Sequence, residues 1–226
     1  MNDRAALRDG LVASLPLVPS VFIYYATVFG GLAVQAGLWR LEVWAMSLFV
    51  FAGASQFVAV PMIAGGASPV AVIVTTYVVN MRHYLMAATL APSFRRFPRG
   101  WLAIVAHGIN DESFAIASSR RSPPDAWTFI GSVVAIMAAF LAGVVVGTEL
   151  GGLVHDPERW GLDFAFPAVF LALVAMQVQR RADWLVAATA AVVAVGIAAV
   201  VPGNWHIVIA AVSVSLVAAL VLPIES

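Results

Sequence analysis

The chain has no cysteine, no lysine and few charges of any kind. Without cysteine there is neither a disulfide framework nor a thiolate metal site. Twelve arginines carry all the basic charge of side chains that stay ionised, twelve acids balance them, and a formal charge of zero argues against a nucleic-acid partner. Charged residues make up 11% of the chain and hydrophobic ones 62%, whereas a soluble domain carries roughly 45 to 50% apolar residues. Mean hydropathy is +0.95. The composition is that of a polytopic membrane protein, with lipid as its main surroundings.

Eight apolar segments are marked: Leu11–Gly37, Val43–Ala64, Ser68–Pro92, Trp101–Ser119, Trp127–Leu150, Phe164–Gln179, Trp184–Val200 and Trp205–Pro223. A spanning helix needs about 20 predominantly apolar residues, and the gaps are short, so no room is left for a soluble catalytic domain. Membrane strands would alternate apolar and polar residues, whereas VAATAAVVAVGIAAV is apolar on every face, as lipid-embedded helices are. The expected fold is therefore all-α, a bundle of about seven or eight membrane segments in one domain over residues 1–226. Trp39, Trp101, Trp127, Trp160, Trp184 and Trp205 stand at segment edges, where the headgroup layer suits an amphipathic ring. The first run is too long for a signal-peptide core and is expected to be a retained membrane segment. Pro16 and Pro19 break its hydrogen bonding and Gly30 and Gly31 loosen it, so it is expected to be kinked or discontinuous.

Arginines cluster at 95, 96 and 99, at 120 and 121, and at 180 and 181, while the loop of the 150s is mostly acidic. With Arg120 and Arg121 cytoplasmic, the 150s loop falls outside and the C-terminus inside. The fourth segment conflicts with this, because both its flanks are arginine-rich. Either the rule is weakly obeyed, or the segment is re-entrant with both flanks cytoplasmic. Gly30-Gly31-Leu32 followed by Trp39 recurs as Gly151-Gly152-Leu153 followed by Trp160, a faint sign of repeats at 11–119 and 127–223. Three crossings per repeat would invert one relative to the other, as in many secondary transporters.

Ionised residues in the middle of apolar segments are costly and therefore informative. Asn80, Arg82 and His83 lie near the centre of segment three, where Arg82 is roughly 15 Å from either end and cannot snorkel. It serves as an ion-pair lock to Asp111 or Glu112, or as a bidentate cradle for a carboxylate, and the two roles are compatible. Segment four packs His107, Asn110, Asp111 and Glu112 into less than two turns. Neighbouring carboxylates repel, so one is expected to hold a proton near neutral pH, the outline of a proton-coupling site with His83 and His107 nearby. Asn110 and Asp111 are also suited to cap a half-helix starting near Glu112, with the break at Gly108. A metal set of His83, His107, Asp111 and Glu112 lacks the matched histidine pair that zinc sites show, and no metal or cofactor is expected. Ser113 near His107 lacks a nucleophile elbow, so no enzyme is expected. In segment two Gly53 allows close backbone approach, while Gln56 is placed to bond a neighbouring helix or a ligand. Gly143, Gly147 and Gly151 form a packing stripe whose partner is another helix or a second subunit.

Four stretches in order, FAGASQF, NMRHYL, INDESFA and GLDFAFPAVFLAL, resemble the signature stretches of the AzlC family of branched-chain amino acid permeases. The early prolines and Phe29-Gly30-Gly31 resemble the family's opening pattern, which adds Phe29 and Gly30 to the substrate-binding candidates Gly53, Gln56, Asn80, Arg82, Asp111 and Glu112. The resemblance implies an inner-membrane exporter of branched-chain and related hydrophobic amino acids that requires a small hydrophobic AzlD-type partner subunit. The residue chemistry agrees: a zwitterion needs a cation for its carboxylate, an acid for its ammonium and an apolar wall. A passive channel for small zwitterions is the alternative reading.

Overall fold

The computed structural model describes residues 3–120, 124–151, 171, 175, 178, 180–201 and 205–221. Among them all regular structure is helical. Three helical stretches are long and apolar enough to cross a membrane: Val18–Gln35, Ala126–Gly151 and Arg181–Ala198. Most of segment six, the GLDFAFPAVFLAL motif and the acidic 150s loop lie outside the described residues. The chain divides into two compact units, Met1–Val60 with Val79–His155, and Pro61–Val78 with Asp156–Ser226.

The frame of the first unit is segment one packed on segment five. Segment one is a helix α1 (Asp3–Ser14), a turn at Leu15–Leu17, a short helix α2 (Val18–Ser20), a π-helical run Val21–Thr27 and α3 (Val28–Gln35). The interruption follows Pro16 and Pro19, as the two missing N–H groups require. In the π run the Thr27 hydroxyl donates to Phe22 O at 2.7 Å. Gly37, at φ +93, closes α3 in a left-handed conformation that glycine adopts without strain. Segment five is the single helix α10 (Ala126–Gly151), about 39 Å long, and Asp125 caps it by accepting from the backbone N–H groups of Trp127 and Thr128 at 3.1 and 3.0 Å.

These two elements meet backbone to backbone. A Cβ on Gly131 would lie 2.1 Å from Leu7 O and one on Gly147 2.1 Å from Thr27 O, while Gly143 faces Phe22 and Gly151 faces Gly31. The partner of the small-residue stripe is thus segment one of the same chain. Residue numbers rise together along the contact, so segments one and five run parallel. An inverted relation between repeats 11–119 and 127–223 would make them antiparallel, and the Gly-Gly-Leu echo does not mark such a pair.

Segment two is not one spanning helix. It consists of α4 (Arg40–Phe49) and α5 (Gly53–Ala64), joined through Phe51 at φ +44, a conformation a bulky residue rarely adopts. The Gln56 amide donates to Ser47 Oγ at 3.1 Å. Nine residues of continuous helix would hold these positions about 13 Å apart, so α5 folds back beside α4. On the outer flank α4 runs antiparallel to α10, with Arg40 paired to Glu149 at 3.1 Å, Trp44 Nε1 donating to Thr148 Oγ1 at 2.9 Å and the Phe51 ring 5.6 Å from that of Phe140.

Segment three is interrupted at Met81 between α6 (Pro69–Asn80) and α7 (Arg82–Leu90). Segment four is broken at Gly108–Asn110 into α8 (Arg99–His107) and α9 (Asp111–Arg120). Asn110 caps α9, its Oδ1 accepting from Ser113 N at 2.8 Å and its amide donating to Gly108 O at 3.0 Å. Asp111 is the first helical residue rather than a cap. The residues before α8 meet those after α9: Ser93 donates to Pro124 O, Phe94 stacks edge-on to Phe129 at 5.9 Å and Phe97 lies 5.6 Å from Trp127. Both flanks of segment four therefore lie at one end of the unit, and the segment doubles back on itself. Leu90, Phe94, Ile109, Ala117, Ala126 and Phe129 form the core beneath it.

In the second unit α11 (Arg181–Ala198) and α12 (Trp205–Val221) pack on each other. Asp183 accepts from Arg180 N at 2.8 Å to start α11, and no residue of α11 is buried, the condition of a helix whose apolar faces look outward.

Candidate functional site

A pocket forms where the interruptions of the first unit come together. Its walls are Val21 of the π run, Phe51, Ala52 and Gly53 at the turn of segment two, Arg82 and His83 at the start of α7, Asn110, Asp111 and Glu112 at the start of α9, and Ile136 and Phe140 of α10. Each break places polar groups at mid-length of an apolar element. A continuous helix would use those backbone groups internally and carry its side chains outward to lipid.

Arg82 and Asp111 form an ion pair at 2.7 Å. The Asp111 side chain is still 49% exposed, and Arg82 Nε is buried without a hydrogen-bond partner among the described residues. The pair is therefore closed on one side and unfilled on the other. Glu112 stands beside it as a second carboxylate facing the same space. His83 Nδ1 donates to Asn80 O at 2.9 Å, which fixes the ring and makes Nε2 the accepting nitrogen. Opposite these groups, Val21, Phe51, Ile136 and Phe140 supply an apolar wall. The cavity is small, about 30 Å³, room for one or two water molecules.

Of the residues singled out in the sequence, Gly53, Arg82, His83, Asn110, Asp111 and Glu112 line this pocket. Gln56 does not. It is fully buried and spent on structure, accepting from Ala52 N at 3.2 Å and donating to Ser47. Asn80 sits behind the wall, its amide donating to Ser55 Oγ at 3.0 Å. Phe29 is buried against Phe57, rings 5.3 Å apart, and Gly30 is pressed on Val144 O and Thr148 N, so both belong to the frame. His107 is outside the pocket. Its Nε2 donates to Leu48 O at 2.8 Å, and its ring lies 6.2 Å from that of Phe51. Phe51 and Ala52 were not legible as site residues, because FVFAG reads as unbroken apolar helix. The only local signal is Gly53, which follows the turn. Among the described residues no cluster of three or more His, Asp or Glu is placed to hold a metal ion.

Residues 16–154 match the family model described as AzlC protein, a stretch that contains every pocket residue. The chain is 31% identical over 193 residues to the inner membrane protein YgaZ of Escherichia coli, covering 81% of this chain and 78% of that protein. It is 31% identical over 184 residues, 80% of both chains, to an uncharacterized membrane protein of Archaeoglobus fulgidus. It is also 26% identical over 180 residues to the branched-chain amino acid transport protein AzlC of Bacillus subtilis, covering 76% of this chain and 70% of that one. No solved structure matches it.

Proposed function

The chain belongs to the AzlC family, and from that premise we propose that it is a secondary transporter exporting branched-chain and related hydrophobic amino acids across the cytoplasmic membrane of a bacterium. The observation that carries this reading is the half-open ion pair of Arg82 and Asp111, set with Glu112 against an apolar wall at the meeting point of broken helices. A zwitterion fits that set group by group. Arg82 brings a guanidinium to a carboxylate, the acids attract an ammonium, and Phe51, Ile136 and Phe140 face an aliphatic side chain. A branched-chain amino acid is also what the Bacillus subtilis relative is named for transporting.

Proton coupling follows from the count. One arginine faces two carboxylates, and the surplus acid exchanges a proton for the ammonium. The cavity of about 30 Å³ is too small for leucine, which favours a carrier that opens and closes over a standing pore. A small hydrophobic subunit of the AzlD type completes the transporter. The test is counterflow of labelled leucine in proteoliposomes with and without that subunit, scanned over pH. Uphill accumulation driven by a pH gradient is expected. Equilibration alone would leave a passive facilitator, and no saturable leucine flux under any condition would end the reading.

A further inference from the structure

Two hairpins of the first unit enter from opposite ends of α10. Segment one crosses alongside α10 and is followed by the folded-back pair α4/α5, which enters from the Glu149 end of α10. The pair α8/α9 follows Leu90 and Phe94, which pack at the Phe129 end, and enters from that end. The four hairpin helices have 10, 12, 9 and 10 residues, roughly 13 to 18 Å each, half a bilayer core. Trp44 and Phe57 of one hairpin recur as Trp101 and Phe114 of the other, thirteen residues apart in both.

We propose that the hairpins α4/α5 and α8/α9 are the two opposing gates of the pocket, latched tip to tip in this state by His107. The latch is visible. At its end α4 leaves carbonyls without helical partners, and one of them, Leu48 O, accepts from His107 Nε2 at the end of α8, 2.8 Å away, with the Phe51 ring beside it. Each tip also supplies one wall of the pocket: Phe51, Ala52 and Gly53 from α4/α5, and Asn110, Asp111 and Glu112 from α8/α9. Withdrawing either tip uncovers the pocket toward the end from which that hairpin enters, while the other remains seated. Alternating access then needs no motion of the glycine-packed frame. The gating role rests on the transporter reading above, whereas the topology and the latch stand without it.

The natural absence of cysteine makes the test direct. Single variants Arg95→Cys and Ser119→Cys should react with a membrane-impermeant thiol reagent from one face of oriented vesicles, and Leu38→Cys from the opposite face. Ala52→Cys, in the pocket wall, should react slowly from both faces. Adding His107→Ala should raise that rate several-fold, while His107→Gln, which can still donate to Leu48 O, should keep it near the parent's. Labelling of positions 95 and 119 from opposite faces would overturn the re-entrant topology. Access to position 52 from one face only would overturn the opposing gates, and a rate indifferent to His107→Ala would overturn the latch. None of these measurements uses an amino-acid substrate, so a failure of leucine transport and a failure of this proposal are told apart.

Discussion

Arg82 carries two tasks that different substitutions separate. Its guanidinium holds Asp111 at 2.7 Å and faces the pocket, so Arg82→Lys keeps the charge and loses the planar fork. Leucine at 100 times its Kd should stabilise the parent by about 2.7 kcal/mol. The corresponding thermal shift should vanish in Arg82→Lys and Arg82→Gln, and leucinamide, which lacks the carboxylate, should give none with the parent. At Glu112 the expected change is in pH dependence. Glu112→Gln should leave the protein folded and abolish pH-driven export, and an unaltered pH profile would place the proton elsewhere. Asn110 is a structural residue at the edge of the site, because Ser113 N and Gly108 O both depend on its amide. Asn110→Ala should cost about 1 kcal/mol, and Asn110→Asp, which still accepts from Ser113 N, should recover most of it in thermal unfolding.

At the scale of elements, the contacts of α10 discriminate between glycines that look alike in sequence. Gly147→Ala would set a methyl group 2.1 Å from Thr27 O, backbone against backbone with no side chain to yield, and should strongly reduce the amount of folded protein recovered from membranes. Gly196→Ala in α11 meets nothing within 4 Å and should be neutral or stabilising by up to about 1 kcal/mol, since alanine is the better helix former. The stripe was legible in the sequence because glycines every fourth residue fall on one face, and the break at Gly108–Asn110 was legible because a mid-membrane His-Gly-Ile-Asn-Asp-Glu run has no stable place on a lipid-facing helix. The fold-back of segment two was not. Its turn is made by Phe51 in a conformation no phenylalanine advertises, held by Gln56 to Ser47 and Ala52, and its two halves together have the length of a single span. For the same reason Gln56 was legible as a buried polar residue but not as one already satisfied by its own hairpin.

For the whole molecule, re-entrance of segment four removes the conflict among arginine clusters. Arg95, Arg96 and Arg99 share one end of the first unit with the start of α10 and with Asp3, which pairs with Arg96 at 3.4 Å, and the positive-inside rule predicts that this end is cytoplasmic. A tag on the N-terminus should accordingly be protected in intact cells, and one inserted between Ala36 and Trp39 should be reached from outside. The pairing of one arginine with two carboxylates at the pocket has an electrical consequence. If the emptied site returns with Glu112 protonated and the loaded site leaves with it ionised around a neutral zwitterion, each turnover moves one elementary charge. Export should then register as a current, and 100 mV across the membrane should bias each cycle by about 2.3 kcal/mol, so that a potassium diffusion potential clamped in proteoliposomes sets the rate as effectively as a pH gradient does.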